Sequence, residues 1–261
     1  MKLHNKTYDV VIPFGHTCAA AMYASEWCFR TCSLPLDWAG TGLIGIKATA
    51  EFVINGFDDF LVPERLKPWK AFGFVPPDAA HDYYIDTKTD LVFIHDFRKG
   101  IPLSEEGPVV LERYNRRIKR MMQMMEAPTK KLIFCWSHDE DPSAETLIEV
   151  AEMLRKRFPQ GEIDLLFFAN VKNMKGVETT SIAPGITLCH GYFHDSKFSV
   201  TMGDCRVTNR ILKHVSLRGR RRAVLKRAIG RLLFKLRAAI ELNPEKRREY
   251  RKQVRDKTWG N

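Results

Sequence analysis

Five short apolar runs, at 9–13, 91–94, 131–136, 163–169 and 186–189, recur along the chain without internal polar alternation. A strand half exposed to water alternates polar and apolar residues. An unbroken run suits a strand covered on both faces, as in a parallel sheet. Helical patterns separate the runs. Over about 109–126, Leu111, Tyr114, Ile118, Met121 and Met125 recur at three- and four-residue steps, with Arg113, Arg116, Arg117 and Arg120 mostly on the other side. Asp141-Pro142 reads as an N-cap followed by proline at the first helical position. Leu147, Ile148, Ala151 and Leu154 then share one face. Repeated strand–helix–strand units predict an α/β fold: an open, mostly parallel sheet with helices on both faces, a Rossmann-like three-layer arrangement. The stretch 34–90 holds five prolines and several aromatics and reads as an irregular insertion of short helices and loops.

The 261 residues suffice for a full core. The chain has no run of about eighteen apolar residues, the length expected of a helix that crosses a bilayer. The N-terminal residues lead into the first strand without an apolar leader, which places the expected location in the cytoplasm. Six cysteines, at 18, 28, 32, 135, 189 and 205, stand without Cys-x-x-Cys pairing. They read as free thiols in a reducing compartment, with no cofactor or metal implied.

The charge is unevenly spread. Residues 206–261 hold 19 Lys and Arg against 4 acidic residues, a balance of +15, whereas 1–205 balance at −4. The predicted organisation is therefore an α/β domain over 1–205 and a basic amphipathic helical tail over 206–261. Within 218–242, Leu225, Ile229, Leu232, Leu236 and Ile240 form one stripe flanked by arginine and lysine. Asn243-Pro244 caps a second, polar helix to about Lys257. The stripe fits an anionic membrane surface, with the protein peripheral at the inner face. It equally fits packing on the body or on a second subunit of a homo-oligomer. Nucleic acid is the least supported partner, since no base-reading element accompanies the charge.

In an open parallel sheet, ligands gather at the carboxyl ends of the strands. The residues just past each expected strand are Gly15, His16 and Cys18, then His95-Asp96, Ser137-His138-Asp139, Asn170, and finally His190 and His194-Asp195. Cys18 follows a strand and a glycine turn and opens an expected helix over 19–30, with Thr17 as N-cap. Helix-end amides would lower its thiol pKa and make it reactive; the alternative is a small buried hydrophobe. Thiol, imidazole and carboxylate are the parts of a cysteine nucleophile system. His95 is the first choice of base, with His16 and His138 behind it. Asp96 is adjacent in sequence and neighbours on a strand point to opposite faces, so it need not be the orienting acid, and Asp37 or Asp139 could be. His-Asp also occurs at 81, 95, 138 and 194, but not at metal-ligand spacing. Gly15 alone is a weak phosphate signal.

The segment Val11-Ile-Pro-Phe-Gly-His-Thr-Cys18, then Ser33-Leu-Pro-Leu-Asp-Trp38 and Phe93-Ile-His-Asp-Phe97, is similar to a bacterial family of uncharacterised papain-like cysteine peptidases. Tyr114-Asn-Arg-Arg-Ile118, Leu132-Ile-Phe-Cys-Trp136 and Leu165-Leu-Phe-Phe168 extend the resemblance, which covers roughly 8–190. It implies Cys18 as nucleophile, His95 as base and Asp37 as acid, and a setting beside surface-polysaccharide and other glycan-assembly enzymes. His16 and Leu36 depart from the usual pattern without removing a catalytic group. A papain-like fold lacks successive parallel units, so the α/β expectation is kept. The expected activity is a cysteine-dependent hydrolase or transferase acting on an acyl or glycan-linked substrate. The alternatives are a glycosyl- or phosphoglycosyl-type transferase with Cys18 structural, and a non-catalytic membrane-attached partner of such enzymes.

Overall fold

Four of the five expected strands lie together in one sheet, and the fifth does not. The computed structural model describes residues 3–16, 18–41, 43–70, 80–137, 140–171, 174, 176–192, 205–240 and 244–246. Its strands are β1 (Thr7–Tyr8), β2 (Val10–His16), β3 (Ala39–Gly40), β4 (Leu66–Pro68), β5 (His81–Asp86), β6 (Val92–Arg98), β7 (Lys130–Ser137), β8 (Glu162–Asn170), β9 (Val177–Ala183), β10 (Ile186–Gly191) and β11 (Ser216–Leu217). The helices are α1 (Ala19–Glu26), α2 (Gly45–Ile54), α3 (Leu103–Glu126), α4 (Ala144–Arg157), α5 (Cys205–Leu212) and α6 (Arg220–Ile240).

The fold is mixed α/β. The largest sheet runs β2-β7-β8-β10-β9, with the first four strands parallel and β9 antiparallel at the edge. Its apolar runs are unbroken because alternate residues feed two different cores. Ile12, Phe14, Ile133, Cys135, Leu165 and Phe167 face one cluster, shared with Ile46, Val53, Tyr114, Leu147 and Leu154 of α2, α3 and α4. Val11, Leu132, Phe134, Trp136, Leu166 and Phe168 face the other, shared with Ala20 and Tyr23 of α1. Leu212 and Val215 pack into that second cluster, and β1 pairs parallel with β11. The chain just past the charge step at 205/206 is thus part of the packed body.

The run 91–94 belongs elsewhere. It lies in β6 of a separate antiparallel sheet ordered β3-β6-β5-β4, so His95 and Asp96 do not stand at the carboxyl edge of the parallel strands. Val92, Phe93 and Phe97 are buried from this second sheet, which gives the same apolar pattern as a parallel strand. The stretch 34–90 supplies α2, β3, β4 and β5. Two helix ends also differ from expectation. Ser143, not Asp141, caps α4 by accepting from Thr146 N at 3.2 Å, and α1 ends at Glu26 rather than 30.

Candidate functional site

At the carboxyl end of β2 the backbone turns through two successive left-handed residues, Gly15 (φ 54°) and His16 (φ 66°). Glycine is required first: a Cβ there would lie 2.3 Å from Thr41 Oγ1. His16 carries the strain of a non-glycine residue in this region, of order 1–2 kcal/mol. Its backbone N donates to Thr41 Oγ1 at 2.6 Å, which helps hold the turn. The chain then enters α1 with Cys18 itself at the N-cap, in helical conformation, its carbonyl accepting from Met22 N. The expected cap, Thr17, lies outside the described residues.

The turn aims the His16 imidazole into the sheet. The side chain is 1% exposed, its ring edge-on to Phe167 with centroids 5.8 Å apart. Nε2 lies 2.6 Å from Glu140 Oε2. The oxygen sits off the N–H direction, so this is a close electrostatic contact rather than an aligned hydrogen bond. Nδ1 is buried with no hydrogen-bond partner. Glu140 in turn is fixed three ways: its two oxygens accept from Ile46 N at 3.0 and 3.1 Å, and its own N donates to Ser137 Oγ at 2.9 Å. The carboxylate thus caps the positive end of α2 while facing His16. Gly45 allows the approach, since a Cβ there would meet Glu140 Oε1 at 3.0 Å.

Burial decides the state of Cys18. The half-buried thiol is pushed up to about 11 by loss of solvation, with only partial relief from a backbone hydrogen bond. The expected lowering by the helix end does not prevail, and the resting group is a thiol. Cys135 is pushed well up and Cys189 to about 12, again mainly by burial.

The first-choice base lies on the second, antiparallel sheet. His95 is half-buried on β6, its ring edge-on to Trp38 at 5.5 Å and to His81 at 6.0 Å. Val92 pairs with Gly40 and Phe93 with Ala39, while Thr41 touches Gly15. Because β6 runs antiparallel to β3, His95 lies three residues, about 10 Å of strand, past Val92 in the direction opposite to Thr41. Asp37 is fully buried as the last residue of a 3-10 turn, Pro35–Asp37. Its Oδ2 accepts from Arg30 Nε at 2.8 Å and Leu34 N at 2.8 Å, Arg30 Nη2 lies 2.7 Å away, and Oδ1 has no hydrogen-bond partner. Burial pushes its carboxyl up against the opposing pull of Arg30. Asp96 accepts from Tyr114 Oη at 2.8 Å, with Arg117 and Arg113 at 3.5 and 3.7 Å. These two carboxylates hold arginines and a tyrosine.

Of the remaining candidates, Ser137 and Asn170 do end parallel strands, and Ser137 orients Glu140. His190 Nε2 contacts Asp141 Oδ1 at 2.7 Å at the end of β10. His138, Asp139 and His194 lie outside the described residues. Glu140 and Thr41 escaped the sequence reading. Glu140 directly follows Ser137-His138-Asp139, so the acidic run itself was the available signal. Among the described residues no three His, Cys, Asp or Glu side chains converge as a metal site requires. A cleft of about 210 Å³ lined by Val10, Phe29, Met124 and Thr129 lies at the opposite, amino end of β2.

Residues 9–171 match the family described as "Putative papain-like cysteine peptidase (DUF1796)". The chain belongs to this family. Neither the curated proteins nor the solved structures gave a match. The matched segment of this papain-like peptidase family begins just before β2 and ends just after β8. It contains Cys18, Asp37, His95 and Glu140, and leaves out His190 and the basic tail.

Proposed function

We propose that the protein is a cysteine-dependent hydrolase or transferase whose nucleophile is Cys18 and whose base is His16, held by Glu140. The observation that carries this is the buried imidazole two residues ahead of Cys18, with a carboxylate at one nitrogen and an unpaired Nδ1. A thiol that stays protonated at rest needs a base at the moment of attack. Sγ then bonds to the acyl carbon as its proton passes to His16 Nδ1. The alcohol or amine leaving group departs with that proton, giving a thioester. Water, or an acceptor hydroxyl or amine, then gives its proton to His16, attacks the thioester and restores the Cys18 thiol. Glu140 stabilises the imidazolium that forms in between.

An acyl or glycan-linked ester or amide is the substrate class, and glycan-assembly enzymes are the expected neighbours. Five free thiols at 18, 28, 32, 135 and 189 support a reducing, cytoplasmic setting. The two-faced sheet of β2, β7, β8 and β10 supports a Rossmann-like body carrying a basic tail. His95, the base implied by the family resemblance, is the competitor to His16. Stopped-flow hydrolysis of p-nitrophenyl acetate tests the nucleophile: a burst of one equivalent is expected, lost in Cys18→Ala. Retention of the burst in that variant would refute the assignment.

The raised pKa of Cys18 favours one other reading, a sugar-transferring enzyme in which the cysteine only packs. Nucleotide sugars would then protect the protein against thermal unfolding, and Cys18→Ala would be equally protected.

A further inference from the structure

Helix α6 rests on the body by its arginine face and turns its apolar face outward. Arg220 Nε donates to Trp27 O at 2.9 Å, and its guanidinium lies over the Trp27 and Phe29 rings at 4.7 and 5.2 Å. One face-repeat later, Arg227 Nη1 donates to Ser25 O at 2.7 Å and Glu26 O at 3.1 Å. Both arginines therefore engage carbonyls at the carboxyl end of α1, which a helix leaves without intrahelical donors. At about 100° per residue, Leu225, Ile229, Leu232 and Leu236 lie roughly 120–180° around the axis from Arg220. They are 60%, 50%, 57% and 52% exposed. Eight large apolar side chains are strongly exposed among the described residues, and five of them, Leu225, Ile229, Leu232, Leu233 and Leu236, are on this side of α6, so the exposure belongs to this face rather than to scatter.

We propose that this outward face lies in the interfacial plane of an anionic lipid bilayer. The stripe supplies the apolar side of an interfacial helix, and exposed Arg221 and Lys226 border it on either hand. Charge selects the occupant. Residues 220–240 contain eight Lys and Arg and no acidic residue. A second copy of this face would bring two such rims together without a counter-charge, whereas anionic headgroups complement them. No described helix is long and apolar enough to cross a membrane, which fits a helix lying in the surface.

The full chain is tested by co-sedimentation with vesicles of phosphatidylcholine mixed with phosphatidylglycerol, and with phosphatidylcholine alone. Binding to the mixed vesicles at low salt is expected, with release at roughly 0.5 M salt, where the Debye length is about 4 Å. The variant Leu225→Gln/Leu232→Gln/Leu236→Gln should bind at least about tenfold more weakly. Its melting temperature should be unchanged, since these side chains point away from the body. Should it not fold, Arg221→Gln/Lys226→Gln decides, by losing the salt-sensitive part of binding. Absence of binding to the mixed vesicles, equal binding to phosphatidylcholine alone, or a concentration-dependent dimer that the leucine variant abolishes would each overturn the proposal. Cys18→Ala should bind as the unmodified chain does, so this result stands apart from the nucleophile assignment.

Discussion

His16 Nε2 lies 2.6 Å from Glu140 Oε2, and that contact ties the turn before Cys18 to the N-terminus of α2. One carboxylate thereby caps a helix and orients an imidazole. Replacing it with Gln keeps the shape but removes the charge. Glu140→Gln should lower the p-nitrophenyl acetate burst rate by roughly tenfold or more, and shift its pH profile, because an imidazolium forms in the step. Loss of the negative charge at the N-terminus of α2 should cost roughly 0.3–1 kcal/mol in denaturant unfolding. A stability loss without any change in the pH profile would leave Glu140 a cap only.

The two candidate bases separate cleanly. His16→Gln should slow acylation of Cys18 by roughly 10²-fold or more, the ordinary contribution of a general base. On the His16 assignment, His95→Ala should change it by less than about threefold. The opposite ranking would return the base to His95.

Asp96 binds the Tyr114 hydroxyl and faces Arg113 and Arg117. Asp96→Ala strands the Tyr114 hydroxyl and leaves Arg117, 11% exposed, without its carboxylate. Breaking such a buried pair should cost about 3–5 kcal/mol, read by urea unfolding. A cost below about 1 kcal/mol would show the cluster to be solvated.

These predictions also mark where the sequence was legible. Unbroken apolar runs identified β2, β7, β8 and β10 because both faces of those strands are buried. The same pattern at 91–94 misassigned β6, since a run reports burial and not which strand lies beside it. Cys18 at the start of α1 was legible from Gly15 and the apolar run before it. The raised pKa was not, because burial depends on what packs around the turn. Glu140 was missed because its partners, His16 and Ile46, come from distant segments that only the folded chain brings together.

Acid should loosen the N-terminal segment. Asp164 is buried, which by itself raises a carboxyl pKa, but hydrogen bonds from His4, Lys6 and Tyr8 outweigh this and hold it below the usual range. A lowered folded pKa gives stability that is present above the unfolded value of about 3.9 and lost as pH falls through the folded value. Asp164→Asn should therefore flatten the acid branch of the stability curve below about pH 5. An unchanged acid branch would assign it to other carboxylates.

Which thiol takes the acyl group identifies the nucleophile. After acid quench of the p-nitrophenyl acetate burst, peptide mapping should place the acetyl group on Cys18 ahead of the other half-buried thiols, Cys28 and Cys32. In His16→Gln the same peptide should acylate roughly 10²-fold more slowly. Acetyl found first on Cys28, whose Sγ lies 3.3 Å from Arg227 Nη1, or on Cys32 would contradict Cys18 as the nucleophile.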